Sequence, residues 1–519
     1  MRKLKGKLAA SSLLAVVIIF SLVTGAHAET WTQVNTAGFG NTQNGATIPL
    51  EVFNGDLYAG TWNSDTGGEL WRTSNGTTWT PVATGGLGNA ANVGLWPTAV
   101  FNGYLYATSE DNTVTGAGVW RSADGATWTQ VNTDGFGDAN NRATCWAGAV
   151  LDGYLYVGTT NNVTGGEVWR TLNGTTWEQV NNDGFGNVQN RHARLWSVFN
   201  GYLYASTANY NTGTEMWRSS NGTDWTNANV AGFGGANNYS SWAFTVFNGS
   251  LYLGTRNNVT GGQIWRTADG TTWVQDAFGD NDVNNLDIKP GKAISNGYLY
   301  AGTQNPTTGG EVWRTSNGTT WEQVNSDGFG DSNNRKAHQS VVFKGRVFVG
   351  TDNFVGGGEI WALSHDNIPS GSNVSTDLAG GVSIEFASVS VGGSASVHTT
   401  EAPGASPSGF SLLGTYYDIS TNASYSGDIT ITIPYNESQV TGNEADLELF
   451  HWNGSSWETV PSIVDTVNNT VTGRTSSLSI YGLGGPPPPT GLNLTWLPFI
   501  ALSLILSGGY LMRRNGIHL

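Results

Sequence analysis

The sequence predicts an all-β chain: a seven-bladed β-propeller followed by a β-sandwich, with a C-terminal transmembrane helix. Three observations predict it. Three phrases recur seven times each through residues 30–362, at intervals of about 48 residues. Each recurring unit divides into four short apolar or aromatic runs separated by turn signals. The composition is that of turn-rich β structure, with 72 glycines in 519 residues, 59 aromatic residues (22 Trp, 18 Tyr and 19 Phe) and only 12% charged residues.

The first recurring phrase ends in a Trp, as in TTW or ATW, at Trp31, Trp79, Trp128, Trp177, Trp225, Trp273 and Trp321. The second resembles VFNGYLYAGT and starts at Val52, Val100, Val150, Val198, Val246, Ile294 and Val342. The third resembles GGEVWRT and centres on Trp71, Trp120, Trp169, Trp217, Trp265, Trp313 and Trp361. In the third unit, WAGAVL (146–151) reads as a first strand, and Asp152-Gly153 as a two-residue hairpin turn. YLYVGT is the second strand, NNVTGG a polar loop and EVWRT the third strand. Asn173-Gly174 then turns the chain into TTWEQV, the fourth. Four antiparallel strands per unit, apolar on both faces, fit blades packed between blades.

The array, residues 29–365, begins with an orphan fourth strand (Trp31 to Val34) and ends at a third strand (Glu359 to Leu363). The orphan is expected to complete the last blade, closing the circle and removing two free edges. An open solenoid would leave them unpaired.

The phrases TSNGTTW, SADGATW and TLNGTTW resemble the Asp-box hairpins of sialidase-type propellers. They are shorter by one residue than the usual S-x-D-x-G-x-T-W, and most carry Asn for Asp. The resemblance covers about two-thirds of the chain at the level of fold. It implies a propeller and places no catalytic residue.

Residues 372–483 lack the repeat and hold alternating runs such as GVSIEFASVSV, DITITIPY and ADLELFHW. About seven strands with Gly, Asn and Pro turns predict a β-sandwich. Its IPY and closing SSLSIYGL phrases resemble ZU5-like modules of bacterial surface proteins. A spacer role is the expectation there.

Both ends read as addresses. Residues 1–28 have a basic start, an apolar middle and the small residues Ala26 and Ala28, the pattern of an export signal. Residues 484–491 form a Pro-rich linker, and 492–512 include the uncharged run Leu494–Met512, long enough as a helix to span about 28 Å. Arg513 and Arg514 open the short basic tail 513–519, which the positive-inside rule places in the cytoplasm. Pro487 to Gly491 resembles the sortase LPxTG signal with Pro for Leu, so Thr490 and Gly491 are candidate anchor residues beside a plain transmembrane tether.

The net charge of −16 excludes nucleic acid as a partner. Cys145, the lone cysteine, rules out an intrachain disulfide and reads as a small core residue. Arginine after the EVW tryptophan (Arg72, Arg121, Arg170, Arg218, Arg266, Arg314) repeats with the fold and reads as structural, as do Glu69, Glu167, Glu215, Glu311 and Glu359.

Symmetry-breaking residues are the better ligand candidates. Each long Gly-Phe-Gly loop ends in Asn, and Arg follows in three units, giving Asn141-Arg142, Asn190-Arg191 and Asn334-Arg335 on one face of the disc. Arginines from separate blades suit a carboxylate. Trp96, Trp146, Trp196 and Trp242, near first-strand starts, are candidates for stacking on sugar rings, with burial between blades as the alternative. Asp134 with Asp138, and Asp327 with Asp331, offer oxygens for calcium, but EF-hand spacing is missing and such residues commonly stabilise turns. No cofactor motif, H-E-x-x-H or Tyr–Glu nucleophile pair is present, so no catalytic residue is assigned. The leading expectation is a non-catalytic cell-surface recognition or adhesion protein for an extracellular glycan or protein ligand. A sialidase-like surface glycoside hydrolase and a structural envelope protein are the alternatives.

Overall fold

The computed structural model describes residues 30–112, 115–279, 282–364, 367–400 and 402–486. The segment 1–28, Thr490, Gly491, the run 492–512, Arg513 and Arg514 lie outside the described residues, as do the side chains of Cys145 and Trp146. Regular structure among the described residues consists of strands and short 3-10 turns, and no helix there is long and apolar enough to cross a membrane.

The third unit shows how a blade forms. Its strands Asn141–Leu151, Tyr154–Asn161, Val168–Thr171 and Glu178–Gln179 pair antiparallel in chain order. Asp152 (φ 50°) and Gly153 (φ 76°) both sit in the left-handed region, the twist that joins two strands by a two-residue turn. Leu155, Tyr156 and Val157 are all but inaccessible, because both faces of this second strand are covered. The same meander runs from Ala46–Phe53 to Thr80–Ala83, Asn92–Phe101 to Thr129–Gln130, Arg194–Phe199 to Thr226–Asn227, Ser240–Phe247 to Val274–Asp276 and Asp287–Ser295 to Glu322–Gln323. In the last unit Val341–Phe343, Arg346–Asp352 and Ile360–Ser364 are followed in space by the N-terminal strand Thr30–Gln33, in register Thr30↔Ser364 to Gln33↔Trp361.

Neighbouring units are stitched at the ends of their inner strands. The bridges run Trp62↔Gly94, Ala143↔Glu110, Thr160↔His192, Ala208↔Ser240, Arg256↔Asp287, Gln304↔Lys336 and Ala46↔Asp352. The last returns to the first unit, so the meanders close into the ring of a β-propeller. Outer strands are stitched as well. Trp177 Nε1 donates to Val131 O of the preceding unit (2.9 Å), Trp225 to Val180 O (2.9 Å), and Trp31 to Val324 O (2.7 Å).

Residues 371–485 form two five-stranded sheets rather than about seven strands. One sheet orders Gly371–Asp377, Ser383–Val391, Ser424–Pro434, Thr470–Thr475 and Ser462–Asp465. The other orders Ala395–Thr400, Ser411–Thr421, Ile480–Gly485, Glu448–Trp452 and Trp457–Val460. The extra strands are short pieces of four or five residues that the alternation pattern merges into longer runs. Ile384, Phe386, Ile429 and Ile431 meet Val397, Ile419, Leu449 and Tyr481 in one core. The sandwich meets the ring at the first hairpin of the last unit, where Gly345 N–H donates to Ser420 Oγ at 3.0 Å.

Candidate functional site

The inter-unit bridges bring seven equivalent positions, of six residue types, to one mouth of the ring axis. Two residues past each loop asparagine the units carry Ala46, Gly94, Ala143, His192, Ser240, Asp287 and Lys336. Two residues further on they carry Ile48, Trp96, Cys145, Arg194, Trp242, Lys289 and His338. The backbone repeats here and the chemistry does not, so packing alone does not account for the choice of residues.

The groups interact across the ring. Burial pushes the Glu110 carboxyl up, opposed by Lys336 of the last unit and by Arg142 and Arg194 of the next two units. Lys289 Nζ lies 3.0 Å from Asp287 Oδ2. Burial alone would raise Asp352, but Lys336 (2.5 Å) and His338 (2.5 Å) hold its carboxyl well below the usual carboxylate range. Arg194 is 2% exposed, donates to Ser240 Oγ (2.8 Å) and Ser241 O (2.9 Å), and lies over Trp242 with Cζ 3.6 Å from the ring centroid. Its other N–H donates to His192 Nδ1 at 2.8 Å. A guanidinium only donates, so Nδ1 carries no proton and the neutral ring holds its proton on Nε2. Burial, then Arg194 and Arg191, push His192 well below the ordinary histidine value.

Glu110, Thr160, His192, Arg194, Trp196 and Trp242 line a cavity of about 90 Å³ in this mouth. Between the units that carry His192 and Ser240, Tyr210 and Tyr239 stack at 4.8 Å, with Arg191 5.2 Å over Tyr210 and Arg256 5.9 Å over Tyr239. Around the mouth, Arg142, Arg191, Arg335, Arg194, Arg256, Lys289 and Lys336 stand against Glu110, Asp287 and Asp352, seven cations to three carboxyls. The whole chain has the opposite sign, at −16. Guanidinium forks, an ammonium, carboxylates and indole faces together bind and orient a polar ligand.

The structure distributes the sequence candidates differently from one another. Asn141, Asn190 and Asn334 are buried, at 1% exposure or less. Their Nδ2 groups donate to loop carbonyls of Gly135, Gly184 and Gly328 (2.9 Å each) and to the carboxylates of Glu167 (2.7 Å), Glu215 (2.9 Å) and Glu359 (2.8 Å). They tie the loop to the blade and offer no polar atom to a ligand, which corrects the expectation for them. Trp96, 1% exposed and packed with Ala46 and Ile48, is a core residue rather than a stacking platform. Trp146 lies on the strand Asn141–Leu151, its side chain outside the described residues. Arg142 is exposed and donates to Asn112 O at 2.8 Å, Arg191 lies over Tyr210, and Arg335 is exposed on the last unit, so Arg142 and Arg191 have separate partners.

The loop aspartates serve turns. Asp138 Oδ1 accepts from Asn140 N–H (2.9 Å) and its Oδ2 from Asn161 Nδ2 (3.0 Å), and Asp331 repeats the pattern with Asn333 and Asn353. Among the described residues there is no group of three or more His, Cys, Asp or Glu side chains placed to hold a metal. Glu110, His192, Arg194, Arg256 and Lys336 were not singled out from the sequence. The signal that finds them is a comparison of the seven units column by column.

No family model matches the sequence, and no curated protein matches it. Among solved structures, a prolyl endopeptidase is similar over 67% of this chain and 55% of its own, at 11% identity and a TM-score of 0.40, so the chain spans about half of that protein. The fucose-recognising lectin of Aleuria aurantia, a six-bladed propeller, is similar over 55% of this chain and 95% of its own, at 11% identity and a TM-score of 0.37. The SapL1 lectin is similar over 55% and 98%, at 14% identity and a TM-score of 0.39. Identities of this order place no functional residue on the chain.

Proposed function

We propose that this chain is a non-catalytic recognition protein of the cell surface. In this reading it is a seven-bladed propeller whose axial mouth binds an anionic glycan, and the sandwich and C-terminal anchor hold it off the envelope. The observation that carries the reading is the mouth itself. Seven cations and three carboxyls gather there, three of the cations from one repeated position and the other groups from positions whose chemistry differs between units, in a chain of net charge −16. A locally cationic mouth on an acidic body draws an anion to one place and repels it elsewhere. The carboxyls and the Tyr210–Tyr239 pair then serve the hydroxyls and apolar faces of a sugar.

The test is binding of purified residues 30–486 to a printed array of acidic and neutral glycans. Acidic members are expected to be retained, less so as salt rises, and Arg142→Ala combined with Arg256→Ala is expected to abolish retention with an unchanged melting transition. Turnover of a fluorogenic glycoside that is lost in Arg142→Ala would establish the glycoside hydrolase alternative instead. Absence of both retention and turnover leaves the envelope-protein alternative.

A further inference from the structure

Resting on the anionic-glycan reading of the mouth, we propose that its occupant is an internal stretch of an acidic polysaccharide. The stretch is several sugars long and lies across the axis between two aromatic platforms, one beside the fourth unit and one beside the last.

Tyr210 and Phe354, each 55% exposed, occupy the same place in their units, one residue past an asparagine whose N–H crosses to the next unit. Asn209 N–H donates to Tyr239 O at 2.8 Å, and Asn353 N–H to Gly45 O at 2.7 Å. In the other described units this place holds Ser64, Asn162, Asn258 and Pro306, so the repeat itself does not ask for an aromatic ring. Each ring is seated on the unit that follows. Tyr210 stacks on Tyr239 at 4.8 Å, and Phe354 meets Trp62 edge-on at 5.4 Å. Phe354 also fills the space of a missing side chain, since a Cβ on Gly45 would sit 2.3 Å from its Cδ1. Every other unit has a side chain at the position of Gly45, among them Val93, Leu286 and Arg335. The glycine thus cradles a ring whose outer part is left in water.

The two platforms stand on opposite sides of the axis. The fifth to seventh units separate them one way round, the first to fourth the other. Ionised groups lie on both arcs, Lys289, Lys336 and Asp352 on one, Glu110, Arg142 and Arg194 on the other. A protein partner is held by a continuous apolar patch, and rings parted by charges do not supply one. A polysaccharide has the matching alternation, with C–H faces that stack on aromatic rings and edges of hydroxyls and carboxylates that pair with ionised groups. One sugar does not reach across the axis, so the chain runs through. Its polarity follows from what flanks each platform. Arg191 and Arg256 lie over the tyrosines, which sets an acidic sugar there. Trp62 packs with Ala46 and Ile48, which sets the apolar face of a sugar at Phe354.

The experiment titrates the purified protein by calorimetry with each acidic glycan the array retains, cut to a series from disaccharide to octasaccharide. Affinity is expected to rise with length and to level off once the chain reaches both platforms. Phe354→Ala is expected to weaken the octasaccharide about tenfold and to leave the disaccharide and the melting transition unchanged. Gly45→Ala, which displaces the same ring without removing it, is expected to have the same effect on binding. Tyr210→Ala is expected to weaken both lengths. Equal affinity for the two lengths, or an octasaccharide indifferent to Phe354→Ala, would overturn the proposal and leave the anionic-glycan reading standing. Failure of every acidic glycan to bind at any length would overturn that reading, and the proposal with it.

Discussion

Glu167 holds three parts of a blade with one carboxylate, accepting from Trp169 Nε1 (2.8 Å) and Asn141 Nδ2 (2.7 Å) while its own N–H donates to Thr159 Oγ1. In the fifth unit Gln263 does the same through Oε1, from Trp265 (3.2 Å) and Asn238 (2.7 Å), so an amide oxygen suffices. Glu167→Gln is therefore expected to cost under about 1 kcal/mol, and Glu167→Ala, which strands a buried amide N–H and a half-buried indole N–H, about 2–4 kcal/mol, read from urea midpoints. The loop asparagines repeat because they complete this bond. The mouth residues were illegible because each occurs once, and only the register makes them neighbours. His192 carries a pH signature. Its folded affinity for protons is depressed by burial, so below about pH 6.5 the unfolded chain takes up a proton that the folded one refuses. Stability from this group is present above that pH and lost as pH falls, by at most about 1.4 kcal/mol per unit. Glu51, Glu110 and Glu167, raised chiefly by burial, act in the opposite sense at acid pH. The histidine contribution is therefore the difference between the wild type and His192→Gln, whose urea midpoint is expected to fall less from pH 7 to pH 5. Equal slopes would show that His192 titrates as an ordinary surface histidine.

Each unit has two tight hairpins that the sequence marks alike, and the structure separates their roles. Gly153 in the inner hairpin (φ 76°) has open space where a Cβ would sit. Gly174 in the outer hairpin (φ 80°) would place a Cβ 1.9 Å from Tyr106 Oη of the preceding unit. Gly153→Ala meets only the left-handed backbone and is expected to cost about 1 kcal/mol. Gly174→Ala must also push the blades apart and is expected to cost about 2–4 kcal/mol by chemical denaturation. Equal costs would show that the outer hairpin is not seated on its neighbour. The strands themselves were legible from alternation and turn residues, except the fourth, which shortens to Glu178–Gln179 where TTWEQV suggested six residues. The long loops were legible as loops but not as what they are, a 3-10 turn with Phe136 at φ 59°, stacked on Trp169 at 4.6 Å. Nothing local to Gly-Phe-Gly announces a bulky residue in the left-handed region. The stack with the third-strand Trp, 33 residues on, is what holds it.

At the scale of the molecule, the all-β class and the closure were legible because the repeat begins and ends out of phase, and one strand must be shared. The sharing is extensive. Val34 N–H donates to Ile360 O (2.8 Å), Asn35 Oδ1 accepts from Ile360 N–H (2.7 Å), and Trp79 Nε1 donates to Val34 O (3.0 Å). Trp31 also packs edge-on against Phe329 at 5.3 Å. The N-terminal strand is thus the outer cover of the blade whose third strand, Ile360–Ser364, leads into the sandwich. A pull on the C-terminal end reaches the ring through a strand gripped on both sides. Deleting residues 30–36 uncovers that strand, with Ile360, Ala362 and Leu363 losing the cover that makes them inaccessible. An uncovered apolar strand pairs with whatever edge it meets. The shortened protein is expected to elute as higher-order species in size-exclusion chromatography and to melt over a broadened range. A synthetic peptide of residues 30–40, supplied in excess, is expected to add as the missing strand and restore the monomer and its sharp transition. An unchanged elution and melting profile without the peptide would show that the ring holds together by its inner bridges alone.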